Sequence, residues 1–185
     1  MSHGESSETK RRSNTPREEV APGGTWVQPA QNRFWLLVPV LVLDLGLVGR
    51  LPPPLAPGSA GPDIPSWLSV SETVLRVMVF GAPLLMPLSL RAPHSRPALA
   101  VYSVGLAAYV GAWVAVVWAP TSEWSTSAVG FTALAWTSII LFTGIGLRST
   151  LRFFPGYRPW MYLGGAALFT AVHTLPIAII WGWYY

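Results

Sequence analysis

From residue 34 onward the chain alternates long apolar runs with short polar punctuation. Crossing a hydrocarbon core takes about 20 mostly apolar residues in a helix. Five runs fit that pattern: residues 34–48, 66–90, 97–118, 125–147 and 160–184. The first is short and contains Pro39 and Asp44. Backbone polar groups facing lipid must be satisfied within their own segment, so each run is expected to be helical. The third and fourth runs have no polar stripe, which argues against a soluble amphipathic bundle. The expected fold is therefore all-α: a polytopic integral membrane bundle of five transmembrane helices occupying residues 34–185.

Residues 1–33 break the pattern. "MSHGESSETKRRSNTPREEVAPGG" mixes both charge signs with Ser, Pro and Gly and has no apolar periodicity, so a disordered polar tail is expected. It lacks the short apolar core and small-residue cleavage site of a secretory signal, and the first hydrophobic run is expected to be retained.

Composition agrees with the pattern. Hydrophobic residues make up 51% of the chain and charged residues 11%, far from the balance of a soluble domain. The ten Trp and six Tyr suit the water–lipid boundary. Cysteine is absent, which excludes disulfides, thiolate metal sites and thiol nucleophiles. The net charge of +4 does not point to nucleic acid, because the basic residues alternate with apolar runs instead of gathering on one surface.

Those basic residues set the expected orientation. Lys10, Arg11, Arg12, Arg17 and Arg33 precede the first run, Arg91 and Arg96 lie between the second and third, and Arg148, Arg152 and Arg158 between the fourth and fifth. Arg50 falls on the opposite side and Arg76 inside a run. The positive-inside rule then places the N-terminus in the cytoplasm and the C-terminus outside, with multi-pass membrane localisation. The outer side carries the Pro-rich "RLPPPLAPGSAGPDIP" (50–65) and the short "APTSEW" (119–124). Small-residue runs, "GLAAYVGA" (105–112) and "GGAA" (164–167), permit close helix packing. Pro39, Pro83, Pro87 and Pro176 are expected to bend their helices and free carbonyl groups.

Four ionisable residues fall within or at the edge of the runs: Asp44, Glu72, Arg76 and His173. At about 1.5 Å per residue, Asp44 lies roughly 9 Å from Arg50, Arg76 roughly 13 Å from Trp67 and His173 roughly 20 Å from Trp160. Three helices thereby bring an acid, a base and a proton shuttle to a common depth in the outer half of the core. Glu72 and Arg76, four residues apart, share a helix face. An unpaired charge at mid-bilayer costs about 2.5 to 3.5 kcal/mol, so Arg76 needs a carboxylate, and both Asp44 and Glu72 are available. Two readings remain open. The charges tie helices together, or they line a cavity in which a carboxyl group trades protons with a lipophilic molecule. In the second reading Glu72, Asp44, Arg76 and His173 are the catalytic candidates, and Trp136, Trp113, Tyr109 and Thr170 are the ligand-binding candidates. Trp136, well inside the fourth run, is placed to stack on a flat ligand or on Arg76. Paired metal-ligand spacing, a phosphate loop and a haem motif are all absent, so no metal and no cofactor is expected.

"LVLDLGLVGRLP" (41–52), "PSWLSVSETV" (65–74) and "RPALAVYSV" (96–104) resemble the EXPERA group of small membrane proteins, the sterol-isomerase and sigma-2-receptor type. The resemblance covers about half of the chain. It implies that Asp44 and Glu72 match the membrane-buried acids facing a ligand pocket. It further implies binding of a sterol-like or amphiphilic amine ligand, or double-bond isomerisation by proton transfer. A fifth helix, a shorter first outer loop and Arg76 depart from the family pattern. The expected function is thus to bind or transform a lipophilic small molecule or lipid, by cofactor-free isomerisation or cyclisation if catalytic. The alternative is a non-enzymatic accessory or scaffold subunit with a membrane protein partner.

Overall fold

The computed structural model describes residues 32–56, 62–88, 95–151 and 153–185, so the expected polar tail up to residue 31, Arg91 and Arg152 lie outside the described residues. Among the described residues the chain is helical throughout and contains no strand, apart from a single bridge between Asn32 and Pro87. Three helices are long and apolar enough to cross a membrane: Ser66–Leu85, Arg96–Trp118 and Pro159–Tyr184.

The first run is a composite. A 3-10 turn over Arg33–Leu36 leads into α1 (Val38–Leu47), and a second 3-10 turn covers Val48–Arg50. Pro39 sits in the first turn of α1, where its missing N–H has no partner to lose, so it starts this helix instead of bending it. The second run is shorter than expected. Helix α2 spans Ser66–Gly81 and tightens into a 3-10 turn over Ala82–Leu85, where Pro83 cannot donate to the preceding carbonyl. Pro87 then pairs with Asn32 outside any helix. Helix α3 (Arg96–Trp118) is continuous, as expected from residues 97–118.

The fourth run departs most from expectation. In place of one helix over 125–147 there are four short ones: α4 (Glu123–Thr126), α5 (Ala128–Phe131), α6 (Ala133–Trp136) and α7 (Ser138–Gly146). Their N-cap positions are Ser122, Ser127, Thr132 and Thr137, one hydroxyl residue every five. Ser122 and Ser127 accept backbone N–H groups at the start of a new turn. Thr132 and Thr137 donate back to the carbonyls of Ala128 and Ala133, at 2.7 and 2.6 Å. Side-chain hydroxyls thus compete repeatedly with the main-chain ladder, which resets at each one. The last helix, α8 (Pro159–Tyr184), is continuous and carries Pro176 in its interior.

The helices form an arc in the order α1, α3, α7, α8, α2. The tightest contact is between α3 and α7, where two glycines face opposite backbones. A Cβ on Gly105 would lie 2.4 Å from the amide nitrogen of Leu141, and one on Gly144 would lie 2.4 Å from that of Tyr102. The second small-residue run packs through Ala166, which is fully buried in the core. Gly164 and Gly165 face open space. The arc closes at one end, where the Arg33 amide donates to Met86 at 2.9 Å. The Arg33 guanidinium reaches the carbonyls of Ile145, Leu147 and Arg148 and so caps the end of α7. Beside it Tyr157 shares a 2.6 Å hydrogen bond with Ser149, and burial pushes the Tyr157 phenol above its ordinary range. Arg33, assigned by charge pattern to the tail, is therefore an integral part of the fold.

Candidate functional site

The concave side of the arc holds a half-open cavity of about 610 Å³. Its floor is a cluster of three phenylalanines, Phe80 from α2, Phe142 from α7 and Phe169 from α8. Their ring centroids lie 5.5 to 6.1 Å apart in edge-to-face contacts. At the other end the Pro-rich segment returns over the mouth, and Leu51, Pro54, Leu55 and Ala56 complete the wall. A short 3-10 turn over Pro53–Leu55 packs this segment against α8.

Into this apolar space project the polar groups singled out by depth. Asp44, Arg76 and His173 all line the cavity, although they come from α1, α2 and α8. Asp44 is held from α3: Oδ1 accepts from the Tyr109 hydroxyl at 2.6 Å and from the Trp113 indole N–H at 3.2 Å. Two donors on one carboxyl oxygen fix its direction. Tyr109 and Trp113 themselves line the cavity.

Glu72 organises the opposite wall. Its Oε1 accepts from the Arg76 guanidinium one turn along α2 and from His173 Nδ1 on α8, the latter at 3.0 Å. Glu72 is not among the lining residues; it lies behind the two that are. The question of which acid partners Arg76 is thus answered in favour of Glu72. His173 also lies flat against Phe169, with ring centroids 5.3 Å apart and planes inclined by 7°. Its side chain is 28% exposed and that of Glu72 only 17%, so the carboxylate is the more enclosed partner.

Two of the ligand-binding candidates stand elsewhere. Trp136 is not a lining residue, because the broken path of α5 and α6 lets its indole N–H reach back to the Val129 carbonyl at 2.9 Å. Thr170 is buried in the packing of α8, with its hydroxyl 3.4 Å from Ser138 Oγ and its carbonyl accepting from Thr174. Sequence reasoning missed Ser138 and the three-phenylalanine floor. The helical spacing of Phe169 and His173 is a visible signal for part of that floor, since residues four apart share a face. Among the described residues no group of three or more acidic or histidine side chains is arranged to hold a metal ion.

No protein-family model, curated protein or solved structure matches this chain.

Proposed function

We propose that the protein is a five-span membrane protein, N-terminus in the cytoplasm and C-terminus outside, whose outer-half cavity binds or transforms a lipophilic small molecule. The observation that carries this reading is the cavity of about 610 Å³, apolar on most of its wall and edged by Asp44, Arg76 and His173. Small-molecule sites share that design: enclosed apolar space of about 300–1,000 Å³ with a few polar groups that orient the ligand. An imidazole on one wall, with a carboxyl group on the other to orient the ligand, suits proton transfer without a cofactor, as in isomerisation or cyclisation. The EXPERA resemblance points the same way through Asp44, whereas Glu72 departs from it by lying behind the lining residues. The shorter first run is consistent with crossing. Residues 33–50 cover roughly 30 Å when their 3-10 turns are counted at about 2.0 Å per residue, and that matches the hydrocarbon thickness.

The test is photolabelling of the full chain in lipid nanodiscs with diazirine derivatives of a sterol and of a fatty acid. Labelled peptides should map to α1 and α8. Val77 lines the cavity yet is 68% exposed, so Val77→Trp narrows the space without disturbing the core. That variant should lower cavity labelling about tenfold, the equivalent of about 1.4 kcal/mol. Labelling scattered over the lipid-facing helices and indifferent to Val77→Trp would sink the proposal.

A second reading is favoured by one feature: Asp44 and Glu72 are each bonded to a different helix. That is also what a packing role requires, in an accessory subunit of a membrane assembly. Under this reading a stoichiometric membrane protein partner accompanies the chain through gentle detergent purification, and photolabelling of the cavity is absent.

A further inference from the structure

We infer that His173, and neither carboxylate, is the group that exchanges protons with a ligand in the cavity, and that Glu72 is a positioning residue acting through it. The inference rests on the proposed lipophile site for what the proton goes to; the protonation pattern it requires stands apart from any ligand. Glu72 Oε1 receives both the Arg76 guanidinium and His173 Nδ1. A carboxylate beside a guanidinium only accepts, so the hydrogen bond at 3.0 Å fixes a proton on Nδ1. A neutral imidazole has one N–H, and Nε2 is then left with its lone pair. His173 lines the cavity while Glu72 does not, and the flat stack on Phe169 fixes the plane of the ring.

The other charged or titratable groups around His173 fit this division of labour. Arg76 on α2 is ion-paired with Glu72. On the facing wall, Asp44 from α1 is engaged by Tyr109 from α3, and Trp113 holds the same oxygen. Asp44 is therefore held in one orientation by two donors, which suits it to orient a ligand. In the exchange itself, Nε2 takes a proton from one ligand atom, and the electron pair of the broken bond stays with the ligand. The imidazolium, held by Glu72, returns the proton to a second atom of the same ligand. His173 ends as it began, and no co-reactant is consumed.

The test reads the proton directly. The chain contains three histidines, His3, His94 and His173, so nitrogen NMR of ¹⁵N-histidine-labelled full-length protein in nanodiscs is simple to assign with His173→Gln. Neutral His173 should carry its proton on Nδ1. In Glu72→Ala it should change to the Nε2–H form that free imidazole side chains prefer. Diethyl pyrocarbonate, which acylates an unprotonated imidazole nitrogen, should modify His173 in the wild-type chain and do so at least several-fold more slowly in Val77→Trp. An Nε2–H form in the wild type overturns the inference, as does a form unchanged in Glu72→Ala. A His173 that resists the reagent despite carrying Nδ1–H also overturns it, and this holds even if Glu72→Ala does not fold. Loss of sterol and fatty-acid photolabelling alone counts against the ligand reading and is recorded separately from these nitrogen signals.

Discussion

At the scale of single residues, the grouping of Asp44, Arg76 and His173 around one cavity was legible from helix rise, because position along a helix depends only on residue count. Their bonding partners were not. Knowing that Tyr109 and Trp113 meet Asp44 requires the rotation of α3 about its axis, and an apolar helix without a polar stripe does not reveal it. Trp136 failed for a related reason: a continuous helix would have aimed it differently from the broken one. The Asp44 contacts lead to a graded expectation. Tyr109→Phe removes the 2.6 Å bond from a half-buried carboxyl group, and an acceptor left short of a donor costs up to about 1–3 kcal/mol. Trp113→Phe removes the longer 3.2 Å bond and should cost less through this contact, although it also trims buried area. Thermal unfolding in nanodiscs should show a lower midpoint for Tyr109→Phe. In the background of Asp44→Leu, which removes the acceptor, that loss should nearly vanish. An undiminished effect of Tyr109→Phe there would mean that the hydroxyl works through something other than Asp44.

At the scale of elements, two kinds of helix contact have different sequence visibility. The five-residue repeat Ser122, Ser127, Thr132, Thr137 is plain once sought, but hydrophobicity counting ignores it because Ser and Thr are tolerated in membrane helices. The close approach of α3 and α7 was legible only as a class: small residues permit contact, and which ones are used depends on the facing backbone. Gly144 and Gly165 separate the cases. A methyl group at Gly144 would collide with the Tyr102 backbone, which has no side-chain freedom to yield, whereas one at Gly165 meets nothing within 4 Å. Gly144→Ala should therefore destabilise by about 1–3 kcal/mol, the usual cost of overpacking. Gly165→Ala should be neutral or slightly stabilising, since alanine is the better helix former. Comparable unfolding midpoints for the two variants would mean that α3 and α7 are not locked at the observed separation.

At the scale of the whole molecule, the arc explains how a chain with so few charges gathers three of them at one mostly apolar cavity. α1 and α2 form its two ends and meet through Arg33 and Met86, while the Pro-rich segment lies across the far end against α8. Asp44, Arg76 and His173 thus gather on the concave side, with Arg76 half exposed at its edge. If all five runs cross, successive connections alternate sides. If only α2, α3 and α8 cross, residues 121 and 150 share a side, as do residues 7 and 63. The absence of native cysteine makes this a direct measurement. Single cysteines at Asp63, Thr121 and Tyr185 should react with a membrane-impermeant maleimide on intact cells. Those at Ser7, Thr150 and Gly156 should react only after permeabilisation. Asp63, Thr121, Thr150, Gly156 and Tyr185 are all exposed, so silence at one of them reports the membrane and not burial. Thr121 and Thr150 reacting from one side would remove residues 123–146 from the bilayer. Arg33 caps α7 directly, so that outcome would also place the Arg33 end of the cavity at a membrane surface, and the lipophile reading would fail together with the five-span topology.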